Sequence, residues 1–185
     1  KEKTHIDKEN KIIKIISYGS IYDRRMIPFL LKTLDSLKCD YGFEPILYLI
    51  GKDSTKDNNI DKISSQQSFK VNRFSYMMES QLNELIRSSD LGVCLSNQDG
   101  TSYILLEYAL KLIPVLTTHL MEKEIGYNCL SCKNLSNHLS LSKKIQEFFS
   151  QSNYYRDELK RKAHDYVIKN FPDEVDTKIC NLITD

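Results

Sequence analysis

The stretch DLGVCLSNQDGTSYILLEYALKLIPVLTT, residues 90–118, holds the alternation on which the fold turns. Residues 90–96 read as a short buried strand, 97–101 as a polar loop with one glycine, 102–111 as an apolar helix and 113–118 as a second strand. A strand, a helix and a strand in that order form a crossover unit, which belongs to a parallel sheet. One residue breaks the apolar helix. Glu107 is its lone carboxylate, and core-facing helix positions seldom hold an unpaired Glu. It therefore points to solvent or faces a ligand.

Working outward, the same rhythm continues in both directions. IIKIISYG (12–19) is rich in β-branched residues and ends at a glycine, so it predicts a strand. RMIPFLLKTLDSLK (25–38) spaces Ile27, Leu30, Leu31, Leu34 and Leu37 as one helical face, with Pro28 suited to the first turn. PILYLIG (45–51) predicts a second buried strand, 53–62 a polar loop, 69–76 a weaker strand and 79–89 an amphipathic helix with Leu82, Leu85 and Ile86 inward. A sixth strand is expected near GYNCL (126–130), followed by helices near 134–149, 153–169 and 173–183. The pattern predicts an α/β, Rossmann-like, doubly wound parallel sheet of about six strands with helices on both faces. Residues 1–11 read as a charged tail or linker, and 12–185 as one domain. The chain opens on Lys rather than Met and is expected to be a piece of a longer protein.

Composition narrows the function classes. The 185 residues are 41% hydrophobic and 28% charged with a formal net charge of +1, which suits a globular domain and gives no electrostatic pull toward nucleic acid. No apolar run approaches a membrane span and no signal-peptide pattern is present. The five scattered cysteines predict reduced thiols and a cytoplasmic location, either free or peripheral at the inner membrane face. Cys129 and Cys132 make a C-x-x-C with no second ligand pair, so incidental thiols are the better reading and no metal is expected. His5, His138 and His164 have no metal spacing, and His119 follows a strand end. Tyr154, Tyr155 and the cations at 160–162 read as a solvated helix face rather than a membrane patch.

In such sheets ligands bind beyond the carboxyl ends of the strands. The loop 97–101 lies there and feeds a helix N-terminus, where free N–H groups and the helix dipole favour phosphate. On the local sequence alone a plain capped helix, with Asp99, Thr101 or Ser102 as cap, is the better reading.

From Arg73 to Val115 the chain resembles the C-terminal, nucleotide-sugar-binding domain of retaining glycosyltransferases with the two-domain GT-B fold, of the group 1 or family 4 type. That family has an acid, seven residues and then Glu, within a pattern like E-G-F-G-L-x-x-x-E-A followed by P-V. Here DGTSYILLEYALKLIPV sets Asp99 at the first acid, Gly100 at the glycine, Glu107 at the second acid and Pro114-Val115 at the strand. YGSIYDRRMIPFLLKTL is similar to the family's phosphate loop, and LYLIG to the strand after it. The order agrees over roughly 12–118.

The resemblance implies a role for each position. Glu107 would accept the ribose hydroxyls, Asp99 would hold the donor sugar, and Arg25 would neutralise the diphosphate as it leaves. Gly19 and Ser20, with backbone N–H groups at Gly100, Thr101 and Ser102, would complete the clamp. The donor would be a nucleotide-sugar, UDP-linked by default. The acceptor would be a glycan or a lipid-linked glycan, held by an N-terminal domain that this chain lacks. Four departures stand out: Asp99 is one methylene shorter than Glu, Ser20 replaces a common Arg, Leu112 replaces a common Gly before the Pro, and the chain is short. Two function classes follow: a glycosyltransferase donor domain, and a non-catalytic nucleotide-binding or interaction module on the same fold.

Overall fold

The computed structural model describes residues 11–55, 59–97, 103–127, 129–132 and 137–172, without the side chains of Glu124 and Cys132. Its elements run β1 (Lys11–Tyr18), a 3-10 turn (Asp23–Arg25), α1 (Ile27–Tyr41), β2 (Phe43–Ile50), α2 (Ile60–Ser65), β3 (Lys70–Phe74), α3 (Glu79–Arg87), β4 (Leu91–Cys94), α4 (Tyr103–Leu110), β5 (Val115–Thr118), α5 (His119–Ile125), β6 (Leu130–Cys132), α6 (His138–Ser150) and α7 (Asn153–Asn170). The six strands pair in the order β3-β2-β1-β4-β5-β6, every pairing parallel. The order reverses direction between β1 and β4, which makes their carboxyl ends the switch point of a doubly wound sheet.

Alternation along each strand builds two cores. Ile13 and Ile15 of β1 with Leu91 and Val93 of β4 meet α1, α2 and α6 on one face. Ile16, Cys94 and Val115 meet α3, α4, α5 and α7 on the other. Strands buried on both faces read as continuous apolar runs, which is why β1, β2 and β4 were visible as such. On the second face Tyr108 lies flat over Gly92. A Cβ at Gly92 would stand 2.7 Å from that ring, and the Tyr108 hydroxyl donates to Ile16 O at 3.0 Å.

The structure departs from the sequence expectation at three places. The polar loop 53–62 contains the start of α2, whose cap Asn59 accepts from Lys62 N at 2.9 Å. Helix α5 occupies the segment after His119, and the last strand falls at Leu130–Cys132 rather than 126–130. The segment 126–127 instead closes α5: Gly126 adopts φ 74, and buried Tyr127 donates to Leu105 O at 2.8 Å. The expected helix 173–183 lies outside the described residues.

Helix α4 ends on a Leu where the resembling family has glycine. Ile113 N donates to Tyr108 O at 3.2 Å and Leu112 N to Ala109 O at 3.0 Å, with Leu112 at φ 55. That is a Schellman closure with a non-glycine residue in the left-handed region. Leu112 is 47% exposed, so little packing offsets the backbone cost. Leu112→Gly is expected to raise the unfolding free energy by about 1 kcal/mol. Urea denaturation of the two proteins measures it, and a fall in stability would show that the exposed Leu side chain outweighs the backbone strain.

Candidate functional site

The carboxyl ends of β1 and β2 meet backbone to backbone. Gly51, at φ 139, sits so close to Gly19 that a Cβ there would lie 2.1 Å from Gly19 O. Beyond this contact the two loops continue in register: Ile21 N donates to Lys52 O at 3.0 Å and Ser54 N to Ile21 O at 2.8 Å. Buried Ile21 thereby pins the β1 loop down, while Ser20 and Tyr22 on either side of it are exposed. Asp53, beside this junction, accepts from Thr55 N at 2.9 Å. Burial alone would raise its carboxyl, but the Thr55 and Ile60 bonds outweigh that and hold it below the ordinary carboxylate range.

The 3-10 turn then delivers Arg25. Met26, after it, takes φ 52 before Pro28 helps to open α1. A non-glycine residue there is uncommon, and it re-aims the chain so that Arg25 turns inward. The Arg25 guanidinium reaches the Cys94 thiol at the end of β4, Nη1 to Sγ at 2.5 Å. Its other terminal nitrogen is 3.4 Å from where a Gly19 Cβ would be, and Ile104 Cδ1 of α4 is 2.8 Å from the same point. Side chains from the 3-10 turn and from α4 thus converge on Gly19, and a Cβ there would displace Ile104. Asn97 N, after β4, donates to Arg24 O at 3.2 Å. Arg25, Gly19, the end of β4 and the start of α4 therefore share one sheet edge. Asp99, Gly100, Thr101 and Ser102 lie outside the described residues.

Glu107 is neither solvated nor unpartnered. Its side chain is 14% exposed; Oε1 accepts from Lys111 Nζ at 2.8 Å, and Oε2 accepts from the Tyr18 hydroxyl. Lys111 is itself only 5% exposed. The Tyr18 ring stands edge-on to Tyr108, with centroids 5.4 Å apart at 88°. Burial, then Tyr108 and Glu107, push the Tyr18 phenol well above its ordinary range, so it remains a donor to the carboxylate. Sequence reading paired neither Tyr18 nor Lys111 with Glu107. The four-residue spacing was the available signal for the latter. Lys52, just past the end of β2, is exposed. His119 opens α5 and its Nδ1 lies 3.1 Å from Glu122. Among the described residues no group of His, Cys, Asp or Glu gathers as a metal site would.

No protein-family model and no curated protein sequence matches the chain. Solved structures do. The catalytic domain of cholesterol-α-glucosyltransferase from Helicobacter pylori superposes with a TM-score of 0.72 at 16% identity, over 85% of this chain and 98% of that one. The UDP-forming trehalose-phosphate synthase from Burkholderia xenovorans gives 0.72 at 13%, over 95% of this chain and 44% of that one. The E. coli trehalose-6-phosphate structure bound with UDP-2-fluoro glucose gives 0.72 at 13%, over 93% and 44%. The chain thus spans less than half the length of the trehalose-phosphate structures and nearly all of the glucosyltransferase domain. Its fold is that of one half of a GT-B glycosyltransferase.

Proposed function

We propose that this chain is the nucleotide-sugar-binding half of a glycosyltransferase, which holds a UDP-sugar for transfer to a glycan or lipid-linked acceptor in polysaccharide or glycoconjugate synthesis. The observation that supports it is the convergence on Arg25: the β1 loop, the end of β4 and the start of α4 meet at one guanidinium. A planar fork at a helix start suits the diphosphate of a nucleotide-sugar. As the glycosidic bond breaks, negative charge grows on that diphosphate, and Arg25 with the α4 N-terminus stabilises it without reorganising. Glu107 reads the ribose diol in this scheme. Its Oε1 accepts from Lys111 and its Oε2 from Tyr18, and a carboxylate offers about four acceptor positions. Asp99 holds the donor sugar. The second reading is a non-catalytic nucleotide-binding or interaction module, favoured by Glu107 being already engaged on both oxygens.

Calorimetric titration with UDP tests the proposal. Wild-type chain binds, Arg25→Gln weakens binding about tenfold or more, and Glu107→Gln costs roughly 1–2 kcal/mol of binding. Thermal melting of each variant, run alongside, separates lost binding from lost fold. Equal affinity in all three proteins would remove UDP from this edge.

A further inference from the structure

The amino edge of the sheet, opposite the Arg25 edge, holds a cavity of about 480 Å³ lined by the starts of β1, β4 and β5, the ends of α3, α4 and α6, and the first turns of α7. Its size is that of a small-ligand site. Its lining is cationic. Lys11 Nζ and Arg156 Nη1 both donate to one neutral oxygen, Phe149 O, at 2.9 and 3.1 Å. Arg87 lines the same cavity. Among the described residues no carboxylate pairs with Lys11, Arg87 or Arg156. Two carboxylates also line it: Asp157, ion-paired with Lys160 at 2.9 Å, and Asp90, which accepts from the neutral backbone N–H of Lys14 at 2.8 Å and keeps its charge.

The plainer explanation is that cations compensate the carbonyl ends of helices. It accounts for Arg87 at the last turn of α3 and for one cation at Phe149 O near the end of α6. It does not account for two. A helix end presents roughly half an elementary charge, against two full positive charges brought to a single carbonyl. The Phe43 ring 6.0 Å from Lys11 and the Phe149 ring 5.9 Å from Arg156 hold these groups without neutralising them. Five cations, Lys11, Arg87, Lys111, Arg156 and Lys160, line the cavity against two carboxylates, Asp90 and Asp157, so an entering anion meets net positive charge.

We infer that the amino-edge cavity is a phosphate-binding site, in which Lys11, Arg87 and Arg156 hold a phosphate-bearing group distinct from anything bound at the Arg25 edge. A phosphate offers several acceptor oxygens and enough negative charge to meet three donors at once. The group belongs either to a free phosphate ester or to an anionic lipid headgroup, and experiment separates these sources.

Pyrophosphate is titrated calorimetrically into the 185-residue chain carrying Arg25→Gln, which removes the cation of the other edge. Binding is expected to persist there and to weaken about tenfold or more when Lys11→Gln or Arg156→Gln is added. Arg87→Gln is the companion variant, since Arg87 makes no bond to Phe149 O and its loss leaves the α6 end intact; circular dichroism verifies the fold of each. In a second arm the same proteins are floated with phosphatidylglycerol or phosphatidylcholine vesicles. Pyrophosphate binding lost in the amino-edge variants identifies a free phosphate ester. Binding to phosphatidylglycerol vesicles alone, lost in the same variants, identifies a lipid phosphate. Absence of both, or binding that survives all three amino-edge substitutions in folded protein, overturns the site.

Discussion

Lys111→Ala is expected to cost the chain roughly 3–5 kcal/mol of unfolding free energy, more than any other single surface-charge change in the domain. Helix α4 buries Leu105, Leu106, Tyr108 and Ala109, so Glu107 sits within a packed element rather than on a solvated face. Its carboxylate is 14% exposed and the Lys111 ammonium 5%. Deleting the ammonium leaves a poorly hydrated carboxylate with its counter-ion gone, and the Tyr18 hydroxyl, being neutral, cannot replace that charge. The price falls on the folded state alone, because the unfolded chain solvates Glu107. The double variant Glu107→Gln with Lys111→Met removes both charges and keeps the volume. It should recover most of the loss, since a buried pair and a well-packed neutral replacement are often close in free energy. Urea denaturation of wild type, both singles and the double closes the cycle. A cost below about 1 kcal/mol for Lys111→Ala would place the pair in the class of solvent-screened surface bridges.

This pair also marks where sequence reading stopped. The strands were legible because burial on both faces leaves long apolar runs, and α1 was legible because five apolar residues, Ile27 to Leu37, repeat at helical spacing around Pro28. Helices α2 and α5 escaped because six or seven residues give too little periodicity to separate from a loop. Arg25 was named through the resemblance of YGSIYDRRMIPFLLKTL to the family's phosphate loop, and the fold brings it to the end of β4. The setting of Glu107 could not be read from the sequence. Its second partner, Tyr18, is 89 residues away in the chain, and only the pairing of β1 with β4 beneath α4 brings them together. The amino-edge cavity is still less visible in the sequence, because Lys11, Arg87 and Arg156 come from three separate elements. Leu112 is a different case: the sequence shows a missing glycine, while the backbone keeps the left-handed conformation that a glycine would serve.

The second large effect concerns chemistry. On the proposed function, the 185-residue chain alone should bind a UDP-sugar yet transfer no sugar above background. At the Arg25 edge Ser20 and Tyr22 are exposed, and Tyr103 at the start of α4 is 62% exposed, so this edge faces water. Holding two reactants in line is worth on the order of 7–11 kcal/mol of barrier. Water at the edge also weakens what Arg25 can do, because Coulomb interactions between unit charges fall several-fold from a protein-like to an aqueous dielectric. Electrostatic stabilisation of the departing diphosphate therefore survives only in part, and positioning is lost almost whole. This chain spans less than half the length of the trehalose-phosphate structures. The measurement is transfer from a radiolabelled UDP-sugar to soluble and lipid-linked acceptors, by this chain and by a form extended at its amino side. Transfer by both at similar rates would mean that the acceptor wall is already present within these 185 residues. UDP binding by the chain with transfer only by the longer form would assign binding to Arg25 and its neighbours, and catalysis to the closure of the cleft above them.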